Sequence, residues 1–251
     1  MDERFWDQMA SHYETEIFSA LASDRDGVFA ERFNKHTRRG DTVCDFGCGV
    51  GRFVPLAACR AKKVYAVDFS QDLLDVAQGE HGQVKNVEFQ RRDLTAGRPR
   101  ICKADVGLCV NVLIMPERER RDAILANVRR NLQPGGLLLL VTPSLETALL
   151  TYHRIIEWHL REGDSYRDAA RSAAESARDE VASIAEGIFK IQGTPTKHFL
   201  REEAHLMLHE HRFEPIETVK IQYAWQDDLA DAPRWMQQPY PWEWLFVARR
   251  V

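Results

Sequence analysis

The chain has 251 residues, with 34 Lys and Arg against 38 Asp and Glu, and a net charge of −4 leaves no large basic footprint for nucleic acid. Its longest apolar run, Leu137 to Val141, is far shorter than the roughly 20 residues that cross a bilayer, and the start Met1-Asp-Glu-Arg-Phe-Trp has no apolar leader-like run, so a soluble, cytoplasmic protein is expected. Five cysteines without a C-x-x-C pair point to reduced thiols and to no metal site, and the length suits one large core or one domain with a cap.

Residues 3 to 21 place Phe5, Trp6, Met9, Tyr13, Ile17, Phe18 and Leu21 at a spacing near 3.6, which predicts an amphipathic helix. A second helix is expected over about Asp26 to Thr37. Next comes a short buried strand, Val43, Cys44 and Phe46 around Asp45, which breaks into Gly47, Gly49 and Gly51 and reopens as a helix at about Arg52. Glycines let the backbone take positive φ and come close to a bound molecule, and a helix start offers unpaired N–H groups. The dinucleotide pattern G-x-G-x-x-G is not met, because the sixth position from Gly47 is Arg52. An acid two residues before the first glycine repels a pyrophosphate and attracts an ammonium, so the expected ligand carries an ammonium as well as an anionic group. Cys48, inside the loop, reads as a small space-filler.

The strand Lys63 to Val67 ends in Asp68, placed 17 positions past Gly51, where a carboxylate can accept from a ribose diol. NAD-binding folds share that feature. Phe69 is placed to stack on adenine or to join the core, and Ser70 or Asp72 can cap the helix Leu73 to Gln78. Further strands are expected at Val87 to Gln90, running into Asp93-Leu94, and at Ala104 to Val110, ending at Asn111. A charged helix over Glu117 to Leu132 stops at Gln133-Pro-Gly-Gly136, ahead of the strand Leu137 to Val141. Leu145 to about Lys190 holds an apolar, aromatic helix and an alanine-rich one, Tyr166 to Ile188. Leaving the carboxyl end of a central strand, this insertion sits over the ligand crevice as a substrate cap or serves as a homodimer contact. The chain resumes at Thr196 to Glu203, with a strand Pro215 to Trp225, an aromatic loop (Trp235, Tyr240, Trp242) and a last strand Glu243 to Arg249.

Asp45-x-Gly47-x-Gly49-x-Gly51, followed in order by Asp68, Asp93-Leu94 and Leu132-x-Pro-Gly-Gly136, resembles the class I S-adenosylmethionine-dependent methyltransferases of small-molecule type. The resemblance implies an α/β fold: a seven-stranded, mostly parallel Rossmann-like sheet with an antiparallel last strand, helices on both faces and a helical cap insertion. The implied units are an N-terminal helical lid (1–40), a cofactor-binding core (41–144), the insertion (145–194) and a C-terminal completion of the sheet (195–251). It implies S-adenosylmethionine as cofactor and S-adenosylhomocysteine as product. Asp45, Phe46, Gly47, Cys48, Gly49 and Gly51 would surround the amino-acid end, Asp68 the ribose, and Phe69, Asp93 and Leu94 the adenine. Asn111 would meet the methionine end, and Tyr13 would close over the cofactor. Met115-Pro116 stands where many small-molecule members carry a histidine, which removes one base. His153 and His198, flanking the insertion, are the remaining weak base candidates ahead of His12 and His159. The expected activity is methyl transfer to a small organic acceptor by in-line displacement, with no nucleic-acid partner. A protein or peptide methyltransferase, an NAD-dependent oxidoreductase and a non-catalytic scaffold are the alternatives.

Overall fold

A computed structural model describes residues 21–191 and 193–251. The expected helix over residues 3 to 21, with Tyr13 and His12, lies outside the described residues but for Leu21. The first described helix is α1 (Val28–His36), which buries Phe29 and Phe33. There follow β1 (Thr42–Phe46), α2 (Val54–Arg60), β2 (Lys63–Asp68), α3 (Gln71–His81), β3 (Val87–Arg91), β4 (Ala104–Val110), α4 (Arg118–Asn131) and β5 (Leu132–Pro143). The insertion contributes α5 (Leu145–Glu162), α6 (Tyr166–Glu180), β6 (Val181–Ser183), β7 (Ile188–Ile191) and β8 (Thr194–Lys197). The chain closes with α7 (Arg201–Glu210), β9 (Phe213–Gln222) and β10 (Trp242–Arg250).

Seven strands form one sheet in the order β3-β2-β1-β4-β5-β10-β9. All the central pairings are parallel, and β10 runs antiparallel to both β5 and β9. This is the expected seven-stranded Rossmann-like sheet with its last strand reversed. Strand order turns back on itself between β1 and β4, which opens a crevice at the carboxyl edge, where open α/β sheets take ligands. One face packs on α4 and α7 through Ile124, Leu125, Val128, Ala204 and Leu208. The other packs on α1 and α2 through Phe29, Phe33, Phe53 and Ala57.

Several boundaries shift by a few residues from the sequence reading, the late strand among them, expected at Pro215 to Trp225 and found as β9 (Phe213–Gln222); two differences change the architecture. The Gln133-Pro-Gly-Gly136 stop falls inside β5, because Leu132 still pairs with Ala104 while Leu137 pairs with Val106, and the intervening residues bulge out with Gly135 at φ 74°. The insertion is not all helical: the alanine-rich helix ends at Glu180, and Val181 to Lys197 folds back as a three-stranded antiparallel sheet. Val181, Ile184, Ile188 and Ile191 favour extended backbone, and Gly187 and Gly193 take φ of 65° and 78° in the two turns.

Candidate active site

The glycine loop leaves β1 and is pinned to the tip of β2. The amides of Gly47 and Cys48 both donate to Val67 O, at 2.7 and 2.9 Å. Gly47, Gly49 and Gly51 all have positive φ (79°, 53° and 83°), so the turn depends on residues without a Cβ. At Gly47 a Cβ would also stand 2.5 Å from the Val112 side chain, in the loop after β4. The helix expected from Arg52 begins at Val54 instead, with Pro55 in its first turn.

Asp68 closes the loop from the β2 side. Its Oδ2 accepts from the Gly49 amide at 2.9 Å and its Oδ1 from the Ser70 amide at 3.0 Å. Asp45 is buried, and its Oδ2 has no hydrogen-bond partner among the described residues. Burial, and then the charge of Asp68, push the Asp45 carboxyl up from its ordinary range to about 7. Side chains alternate along a strand, so Asp45 shares a face with Val43, and Asp68 shares it with Val64 and Ala66, the face that packs on α1 and α2. Cys48 is buried in the loop, and burial, with the Asp68 and Asp45 carboxylates close by, drives its thiol far up and disfavours the thiolate.

Glu243 is a site residue that sequence reasoning missed. It is the second residue of β10, opposite Pro143 of β5, and is 5% exposed. Asn111, at the tip of β4 with φ 54°, donates from Nδ2 to Glu243 Oε1 at 2.7 Å. β4 and β10 flank β5, so their backbones are about 10 Å apart, twice the strand spacing. The bond therefore carries the Glu243 side chain across the tip of β5 at the carboxyl edge. Parity puts Glu243 with Leu245 on the face that holds Asp45 and Asp68. Its Oε2 and Asn111 Oδ1 are buried without partners among the described residues, and burial lifts the carboxyl to about 8 despite the Asn111 bond. The signal in the sequence was a single acid inside Trp-Glu-Trp-Leu-Phe-Val-Ala, a strand apolar on both faces.

The other expected residues are more scattered. Asp93 is exposed, and its Oδ1 accepts from the amide and hydroxyl of Thr95, each at 2.7 Å, as a turn-closing acid does. It stays beside Asp68, because the Arg92 amide donates to Asp68 O at 2.8 Å. Leu94 is buried and its carbonyl accepts from Asn127 Nδ2. Phe69 is half-buried at the tip of β2, and Phe46 points into the opposite core with Cys44. His153 is exposed on α5. His198 is buried edge-on to Phe189, with Nδ1 3.1 Å from Thr196 O. A carbonyl can only accept, so Nδ1 carries the hydrogen. Burial pushes His198 down to about 4, leaving it neutral.

The insertion is rooted at the same edge. Ser144 caps α5 by accepting from the Thr147 amide, and the Thr147 hydroxyl donates to Trp242 O at 2.8 Å and accepts from Trp242 N at 3.0 Å. The first turn of α5 thereby fixes the start of β10, next to Glu243. Further out, Trp158 and Trp235 join a separate cluster with Trp225 and Met236, so these aromatics pack on one another. Tyr152 is tied to Glu180, and Trp242 sits under Lys220 Nζ at 3.4 Å.

Residues 43–136 match a family model described as a methyltransferase domain. The chain is 30% identical over 108 residues to the ubiquinone biosynthesis O-methyltransferase of Coxiella burnetii, covering 42% of this chain and 45% of that protein. It is 30% identical over 128 residues to the cypemycin N-terminal methyltransferase of a Streptomyces species, covering 50% of this chain and 51% of that protein. The stretches matched span about half of the length of these two relatives, and only 12% of the length of an Arabidopsis thaliana phosphoethanolamine N-methyltransferase that is 40% identical over 57 residues. Among solved structures, a Burkholderia thailandensis 1,6-didemethyltoxoflavin-N1-methyltransferase with bound 1,6-didemethyltoxoflavin and S-adenosylhomocysteine superposes with a TM-score of 0.65 at 14% identity, covering 99% of this chain and 87% of that one. At that identity the likeness is one of fold.

Proposed function

We propose, from a chain that has the Rossmann-like fold of the class I S-adenosylmethionine-dependent methyltransferases, that it transfers a methyl group from S-adenosylmethionine to a small organic acceptor. The observation that carries this reading is Asp45, a buried carboxyl with an unpartnered oxygen at the root of a glycine loop that Asp68 holds in shape. An unpaired buried acid of this kind is stabilised by an arriving cation, and an ammonium is the cation that the cofactor's amino-acid end supplies. Asp45 and the Gly47 to Gly51 loop would hold that end, Asp68 the ribose, and Phe69, Leu94 and Asp93 the adenine, with Asn111 at the methionine end. When bound, the cofactor supplies an electrophilic methyl on a sulfonium.

What this chain contributes is alignment and dryness. The acceptor is held in line by the crevice and by the root of the insertion, and water is kept out by α5 and the segment packed on it. Neither His153, exposed, nor His198, held neutral, is required as a base when the acceptor is already a free nucleophile. A second reading, an acceptor at a peptide end, is favoured by the similarity to the cypemycin N-terminal methyltransferase. Titration calorimetry with S-adenosylmethionine and S-adenosylhomocysteine tests the cofactor. Wild type should bind both, and Asp68→Ala should weaken binding by a hundredfold or more, since a charged hydrogen-bond acceptor is lost from a buried turn, on the order of 3 kcal/mol. No binding by wild type rejects the proposal.

A further inference from the structure

Glu243 is not explained by holding the fold together. It is a carboxyl taken out of water on a sheet face, with one oxygen on Asn111 and the other without a partner among the described residues. A buried acceptor left unmade costs stability, and a well-packed apolar residue would serve this strand better. Its position is specific as well. The side chain crosses the tip of β5, between the β4 tip that carries Asn111 and the Thr147–Trp242 lock that fixes the root of the insertion. The glycine loop and the two acids at 45 and 68 lie on the β4 side of that point, and the insertion rises from it.

We infer that the unpartnered Oε2 of Glu243 faces the group that receives the methyl and accepts the hydrogen of an acceptor amine or hydroxyl. The inference rests on the methyltransferase reading above and narrows its substrate class. Above about pH 8, where it is ionised, the buried Glu243 carboxylate repels an acceptor whose nucleophile is itself a carboxylate or a phosphate and so disfavours that class. An amine or a hydroxyl brings a donor hydrogen to Oε2 and turns its lone pair toward the methyl. Asn111 acts through Glu243, by fixing the plane of the carboxyl, and is a positioning residue.

The test uses sinefungin, a cofactor analogue in which a carbon bearing an amine replaces the sulfonium sulfur and its methyl, so that the amine stands in the place of the methyl and points its N–H donors toward the acceptor position. Calorimetry at pH 8.5 compares sinefungin with S-adenosylhomocysteine on wild type, Glu243→Gln and His198→Gln. Wild type should prefer sinefungin by roughly tenfold or more, the size of one charge-assisted hydrogen bond. Glu243→Gln keeps the side-chain shape and can still accept from Asn111. It should lose the preference while its affinity for S-adenosylhomocysteine stays unchanged, which also reports that it is folded. His198→Gln should keep the preference. A preference that survives in Glu243→Gln, or that disappears in His198→Gln instead, overturns the assignment. Failure of wild type to bind S-adenosylhomocysteine overturns the methyltransferase reading, and this inference with it.

Discussion

The two edges of the main sheet treat charge in opposite ways. At the amino edge, Lys103, Arg129, Arg130, Arg212 and Arg250 line a cleft of about 430 Å³. Most of these cations are tied to the ends of backbone elements. Lys103 Nζ donates to Arg130 O at 2.6 Å, Arg250 to Leu132 O, and Arg129 Nη2 to Val251 O at 2.9 Å. Two of those carbonyls end α4, where the helix dipole favours positive charge. At the carboxyl edge the acids Asp45, Asp68 and Glu243 are buried, and among the described residues Asp45 Oδ2, Glu243 Oε2 and Asn111 Oδ1 have no partner, beside the unpartnered Thr142 hydroxyl and Trp242 indole N–H. Arg129 Nε is also unpartnered, but its guanidinium is held through Nη2. A cluster of charge that caps backbone is structural, however basic it looks, whereas buried acceptors with nothing to accept from imply a ligand that brings donors.

The largest effect that separates the edges is in pH dependence. Asp45 and Glu243 sit at about 7 and about 8 in the fold and near 4 in the unfolded chain. Below pH 4 both are protonated in either state and contribute nothing. Between pH 4 and their folded values the unfolded chain releases protons that the fold retains, so stability falls as pH rises, by on the order of 4 kcal/mol per group at full extent. Chemical denaturation of the ligand-free protein from pH 5 to pH 9 should show this fall, and Glu243→Gln should flatten its upper part, from pH 7 to pH 8. An unchanged slope in Glu243→Gln would mean that the carboxyl is solvated.

A smaller effect is expected from Gly47→Ala, about 2 kcal/mol, from the combination of positive φ and a Cβ 2.5 Å from Val112. For a domain of this size that lowers the melting temperature by roughly 4–8 °C. Adding Val112→Ala should recover only part of the loss, because the backbone strain remains. If it recovers all of it, the conformation of the loop is not what glycine is needed for.

The smallest effect belongs to the amino edge. Arg250→Gln removes a cation from a helix end and should cost about 1 kcal/mol in denaturant titration. Its affinity for S-adenosylhomocysteine should stay within about twofold of wild type, since distant sites add independently. A tenfold loss would mean that the two edges are coupled.

Much of this fold is legible in local sequence. Apolar runs mark β1, β2, β4 and β5, with glycine bounding β1 and the start of the apolar part of β5, and the loop at Gly47 to Gly51 carries its own signature. The misreading at Tyr166 to Ile188 arose because alanine and arginine extend a helical pattern into Val181, where β-branched residues and the turns at Gly187 and Gly193 prevail. The Glu243–Asn111 pair was beyond such reading for another reason: its partners are 132 residues apart and meet only because β10 inserts beside β5. Asp93 shows the reverse, a motif position whose acid the fold also uses to close a turn with Thr95.

The most direct test of the account is a crystal structure of the chain grown with S-adenosylhomocysteine. The expected result is a nucleoside lying along Gly47 to Gly51, its sugar at Asp68 and its amino-acid end beside Asp45 and Asn111. Ligand density in the basic cleft between Lys103 and Arg250, with none at the carboxyl edge, would contradict it.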